Sequence, residues 1–175
     1  MSTIKIKKNN FFSLFFILAT LSTFSSCFSK ETSKGNTLNL RVKYGTIKIK
    51  LLSKKAPNTV KRISKLANNK FYNGITFHRV IPGFVAQAGD PTGTGMGGSG
   101  KKLNAEFNDI EHVKGTVAMA RKGNDVNSAD SQFYISLNTL EHLNGKYTVF
   151  GQVIEGMDLI DKIKKGDKII EMTAN

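Results

Sequence analysis

The chain has 175 residues, a formal charge of +13 and a single cysteine. That length is the size of one ordinary domain, and one cysteine excludes an internal disulfide framework. The basic excess comes without a recognisable nucleic-acid-binding fold, so it reads as solvated surface, or as a face for anionic headgroups or acidic partners.

Lys5, Lys7 and Lys8 precede an apolar run from Phe11 to Phe24, and small residues then lead to Cys27. A basic start, a short apolar core and small residues form the pattern of an export signal. The run is too short, and too polar at its end, for a membrane span. Residues 1–26 are therefore read as an export signal, 27–36 as a polar tether and 37–175 as the folded domain. Cys27 at the end of the signal core resembles the lipobox of bacterial lipoproteins, although Phe24 stands where leucine is usual. That resemblance implies lipidation of Cys27 and a membrane anchor in the cell envelope. Ordinary secretory cleavage to a periplasmic or secreted protein, or an uncleaved anchor, are the alternatives. No Asp or Glu occurs from Thr32 to Gly89, which leaves the first half of the domain basic.

Leu38, Leu40, Val42 and Tyr44 alternate with polar residues, and after Gly45-Thr46 the alternation resumes at Ile47, Ile49 and Leu51. Period-two patterning on both sides of a glycine predicts a hairpin. Pro57 suits the first turn of a helix, and Val60, Ile63 and Leu66 keep helical spacing until Asn68-Asn69. Further strands are expected over Phe77–Ile81, Val113–Met119, Gln132–Leu137, Thr148–Val153 and Lys168–Met172. Met157, Ile160 and Ile163 mark a second helix, closed at Gly166. The pattern is mainly β. The expected fold is a closed antiparallel barrel of about eight strands capped by two α-helices, an arrangement that leaves few strand edges open.

On the expected strand before Pro82, Phe77, Arg79 and Ile81 share one face. That places a guanidinium between two large apolar side chains, with Phe84, Val85 and Gln87 following. A cation so desolvated is either paired or used. The glycine-rich stretch 91–100 carries a false lead: Gly95, Gly100 and Lys101 have phosphate-loop spacing, but Lys102 stands where magnesium binding needs Ser or Thr. The three histidines, His78, His112 and His142, lack metal-ligand spacing. No serine sits in a nucleophile-elbow motif.

Three blocks in this order resemble the cyclophilin-type peptidyl-prolyl isomerases of bacteria: Phe77 to Asp90, Ala118 to Ile135, and Leu143 to Gly151. The similarity runs from about Leu38 to Met172. It implies isomerisation of X-Pro bonds in peptides and unfolded exported proteins, without cofactor or metal, by a chain that is expected to be monomeric. By motif, Arg79 takes the place of the catalytic arginine. Phe84, Val85, Tyr134 and Leu143 match the pocket for the proline ring. Gln87 matches the amide that orients the substrate, and Ala120 and Gln132 match positions beside the peptide groove. Tyr147 falls where relatives carry His or Tyr. Departures are Val85 for Met, Tyr134 for Phe, His142 for Trp, Arg121-Lys122 for small or neutral residues, and Asp130 for Gly.

Overall fold

The computed structural model describes Met1 and residues 36–175. The expected export signal, Cys27 and most of the tether lie outside the described residues. Among the described residues eight strands form one antiparallel sheet: β1 (Thr37–Val42), β2 (Gly45–Leu51), β3 (Arg79–Ile81), β4 (Val85–Ala88), β5 (Thr116–Met119), β6 (Phe133–Ser136), β7 (Val149–Glu155) and β8 (Glu171–Ala174). Among the described residues two α-helices accompany them, α1 (Pro57–Asn68) and α2 (Met157–Ile160). No helix among the described residues is long and apolar enough to cross a membrane.

The strand order is β3-β4-β6-β5-β7-β2-β1-β8, so β3 and β8 are edges and the expected closed ladder stays open. The segments that lead into these edge strands do meet. Thr76 and Lys168 form an isolated bridge, and Ile169 N–H donates to Ile75 O at 2.8 Å. This seam satisfies edge groups that two short strands leave unpaired. It also displaces the last strand from the expected 168–172, because residues 168–169 serve the seam.

Other elements differ by local chemistry. Tyr44 falls in the turn between β1 and β2, not in the strand. Gly45 opens β2 at φ +142, with Leu159 packed where a Cβ would stand. The second helix is a single turn, and Ile163 reaches the core from the turn beyond it. The first helix begins at Pro57 and ends at Asn68. Its N-cap side chain is Ala56, which cannot cap. Glu106 does so from a distant loop, accepting the N–H groups of Asn58 (2.9 Å) and Thr59 (2.8 Å). Burial works to raise the Glu106 pKa, and these bonds bring it below its ordinary value.

The inward side chains of β1, β2 and β5–β7 join Val60, Ile63 and Leu66 of α1 in the main core. On β5 and β6 every residue is buried, because a second apolar layer covers their other face. That outer layer builds the site.

Candidate active site

One row of residues crosses five strands. Arg79 on β3 opposes Gln87 on β4, Gln87 opposes Tyr134 on β6, Tyr134 opposes Ala118 on β5, and Ala118 opposes Val149 on β7. Directly opposed residues share a face. On this face Val85, Ala118, Tyr134, Leu140 and Val149 form an apolar cluster distinct from the main core, with Phe84, Ala120, Leu143 and Tyr147 packed against it.

The turn joining β3 to β4 sets the entrance. Phe84 N–H bonds Ile81 O at 3.0 Å, and Gly83 has φ +69. Proline in second place and a positive-φ glycine in third is the type II pattern. The turn returns Phe84 to the side of Arg79, whose guanidinium carbon lies 5.5 Å from the ring centre. His142 stacks on the same Phe84 ring at 5.9 Å and 10°.

Arg79 is exposed, which corrects the desolvated cation expected between Phe77 and Ile81. The strand starts only at Arg79. Phe77 donates its N–H to Asp167 O at 2.8 Å, not to β4, and its ring is 0% exposed in the core. The face alternation therefore breaks between Phe77 and Arg79, and Ile81 is exposed as well.

Arg79 heads a polar chain. Its Nη1 donates to Gln87 Oε1 (3.3 Å), Gln87 Nε2 donates to Gln132 Oε1 (2.9 Å), and Gln132 Nε2 donates to the carbonyls of Gly95 (2.9 Å) and Gly97 (2.8 Å). Each amide orientation is set by the next, so the guanidinium is anchored from one side.

The glycine-rich loop at the far end is wound on two carboxylates. Asp90, 1% exposed, accepts the N–H groups of Thr92 (2.8 Å) and Gly95 (2.6 Å). Asp130 accepts those of Gly100 (2.8 Å) and Lys101 (3.2 Å), and the Ser99 hydroxyl. The N–H groups that the false phosphate-loop spacing brought to notice thus face the protein's own carboxylates. Burial pushes the Asp90 carboxyl up, but hydrogen bonds from the Thr92 hydroxyl and from backbone N–H groups outweigh it and hold the pKa at about 2. Asp130, the departure from glycine, has a structural use here.

Arg79, Phe84, Val85, Gln87, Ala120, Tyr134, Leu143 and Tyr147 line one cavity of about 190 Å³. Gln132 lines an adjoining cavity of about 380 Å³ that shares Gln87, Ala120 and Arg121 with the first. The smaller cavity lies below the range of about 300–1,000 Å³ usual for a whole small ligand, and suits a single side chain.

Asp90 and His112 carry no site role in the sequence reading, and Arg121 enters it only as a departure from the family pattern. Arg121 lines both cavities, lies 4.7 Å from the Tyr147 ring centre, and donates to the carbonyls of Lys146 (3.1 Å), Lys122 (2.9 Å) and Gly123 (3.1 Å). Its place next to Ala120 was the available signal. Asp90 organises the loop, and an acid directly before Pro91 and a Thr/Gly run signals an Asx-type turn. His112 is buried behind Tyr134, and no local spacing announces it. Among the described residues no group of three or more His, Cys, Asp or Glu is placed to hold a metal.

The family model for cyclophilin type peptidyl-prolyl cis-trans isomerases matches residues 37–173. A peptidyl-prolyl cis-trans isomerase of Synechococcus elongatus is 43% identical over 135 residues, covering 76% of this chain and 92% of the relative. One from Helicobacter pylori is 42% identical over 144 residues, covering 80% and 87%. A cyclophilin-type isomerase of Cryptosporidium parvum, crystallised in the presence of the dipeptide Ala-Pro, superposes with a TM-score of 0.74 at 28% identity, covering 79% of this chain and 98% of that one. A family model matching residues 37–173, and relatives above 40% identity over most of their length, place this chain in the family of cyclophilin-type peptidyl-prolyl cis-trans isomerases.

Proposed function

We propose that the chain isomerises X-Pro bonds of exported proteins, with the proline ring seated in the smaller cavity and Arg79 acting on the twisted amide. The observation that carries this is the position of Arg79. Its guanidinium is anchored through Gln87 at the rim of an apolar cavity floored by Tyr134 and walled by Phe84 and Leu143.

The X-Pro bond resists rotation by about 18–20 kcal/mol through amide resonance. Rotation needs no nucleophile or proton shuttle. It needs groups that favour the twisted amide over both planar forms. As resonance is lost, the prolyl nitrogen gains a lone pair and becomes an acceptor. A guanidinium offers several N–H groups in a rigid fork. One of them holds Gln87, and others can meet the prolyl nitrogen as the bond twists. Since Arg79 is exposed in the free chain, the bound peptide itself excludes water around the cation and strengthens that contact. Phe84 and His142 hold one side of the ring, and Gln87 and Gln132 offer amide groups to the neighbouring peptide units.

The isomerase crystallised with Ala-Pro supports a proline-containing peptide as the substrate class. Export and anchoring through lipidated Cys27 are supported by the basic start, the apolar run and the small residues before the cysteine. The chain is taken to act as a monomer without cofactor or metal. The test follows cis-to-trans conversion of a short X-Pro peptide with the purified chain and with Arg79→Ala. Fast turnover that the substitution abolishes supports the reading, and no turnover by the folded wild type overturns it. Metabolic labelling with palmitate, lost in Cys27→Ser, tests the anchor.

A further inference from the structure

We propose that His112 is a positioning residue that ties one wall of the proline cavity to its floor, and that it does so only as the neutral imidazole carrying its proton on Nδ1. The inference rests on the cavity being the isomerase site, and extends it to a residue that does not line the cavity.

His112 is 0% exposed and makes four hydrogen bonds. Its backbone N–H donates to Asn144 Oδ1 at 2.8 Å, which requires that the Asn144 atom facing His112 be the amide oxygen. The ring Nδ1 lies 3.1 Å from that same oxygen. An acceptor there obliges Nδ1 to carry the proton. A neutral imidazole has one N–H, so Nε2 presents a lone pair, and the Tyr134 hydroxyl at 2.9 Å donates to it. The His112 carbonyl accepts the N–H of Leu140 at 2.7 Å.

These partners belong to one wall of the cavity and to its floor. Leu140 and Asn144 flank the short 3-10 turn Glu141–Leu143, which carries Leu143 at the cavity and His142 against Phe84. Tyr134 is the floor. One side chain and its own peptide groups thus fix the turn at both ends and the floor ring at its tip. The bond also directs the Tyr134 hydroxyl hydrogen away from the cavity, so the tyrosine presents an apolar ring to the ligand despite its hydroxyl.

Protonation undoes the arrangement. An imidazolium donates from both nitrogens, so the Tyr134 O–H must turn away from Nε2 and accept instead. The titratable and charged groups around the ring are Tyr134 on β6, His142 and Tyr147 on the segment before β7, and Arg121 above Tyr147. Glu111 and Glu141 are exposed, and no carboxylate bonds the ring among the described residues. Burial holds the imidazole below its ordinary pKa, more than the bond to Asn144 raises it, and His142 adds to the lowering. The neutral tautomer therefore persists at neutral pH and is lost on the acid side.

The experiment has two parts, both on the full chain. Nitrogen-15 NMR of the ring nitrogens should show His112 protonated on Nδ1 and bare on Nε2 at pH 7, with titration below the ordinary histidine range. KM for an X-Pro peptide without ionisable side chains should rise about fivefold as His112 titrates, the worth of roughly one net hydrogen bond, with kcat changing less. The acid limb should vanish both in Tyr134→Phe, which has no hydroxyl to turn, and in His112→Asn, each measured against that variant's own neutral plateau. A proton on Nε2 instead of Nδ1 at pH 7 overturns the proposal without reference to any variant, as does one acid limb common to all three proteins. Absence of turnover by the folded wild type at pH 7 would instead sink the reading of the cavity as an isomerase site.

Discussion

Replacing Arg79 by alanine separates catalysis from folding. In the structure this side chain is exposed, donates one hydrogen bond at 3.3 Å and lies 5.5 Å from the Phe84 ring centre. The bond is long for its type, and a cation–π contact at an exposed site contributes about 0.5–1 kcal/mol. Loss of both lowers folding stability by under about 1 kcal/mol, in the range of ordinary surface substitutions. A preorganised donor aimed at charge that develops in the transition state contributes about 2.7–4 kcal/mol in other enzymes. Arg79→Ala should therefore lower kcat/KM by about 10²–10³, while the urea midpoint hardly moves. Arg79→Lys should recover little, because a single ammonium cannot hold Gln87 and the prolyl nitrogen with the geometry of a planar fork. The assay is protease-free cis-to-trans conversion of an X-Pro peptide, with urea unfolding of the same preparations. A loss under about threefold, or a loss that tracks unfolding, would refute the reasoning and make Arg79 structural.

Three further substitutions probe what supports the site. Gln132→Ala cuts the polar chain between Gln87 and the loop carbonyls of Gly95 and Gly97, and should lower kcat/KM about tenfold with the sheet intact by circular dichroism. Asp90 has its folded pKa depressed to about 2 from an ordinary 3.8. Its contribution of roughly 2 kcal/mol is present above the unfolded value and lost as pH falls from about 4 to 2; urea midpoints across that window should show the loss in wild type and a flatter curve in Asp90→Asn. Gly89 sits at φ +95, with Ser131 O 2.3 Å from where a Cβ would stand, so Gly89→Ala should destabilise by at least about 1–3 kcal/mol in thermal unfolding.

The polar chain and the loop show how far linear pattern reaches. Gln87 and Gln132 belong to recognisable blocks, and both line the cavities on the outer face of the sheet. Asp90 and Asp130 carry no structural role in the linear pattern, because the N–H groups they accept become visible only when the glycine-rich turn is wound. Arg79 was placed in the right run but in the wrong environment. Its neighbour Phe77 takes a backbone partner at Asp167, ninety residues along the chain, and that pairing breaks the alternation a local reading assumes. His112 offered no signal, since its partners Tyr134 and Asn144 come from separate elements.

Period-two alternation and proline at a helix start are local, so the sequence alone determined the first hairpin, the first helix and the mainly β character. Side-chain order within each block placed Arg79, Phe84, Val85 and Gln87 on one short hairpin. Whether the sheet closes, which face the arginine takes, and what holds the cavity walls were decided by tertiary structure. Each depends on hydrogen bonds between segments far apart in the chain: the seam of Thr76 with Lys168, the bond of Phe77 to Asp167, and the grip of His112 on Tyr134 and Asn144. Buried backbone and polar groups must find partners wherever the fold brings them, and no local pattern records which partner that will be.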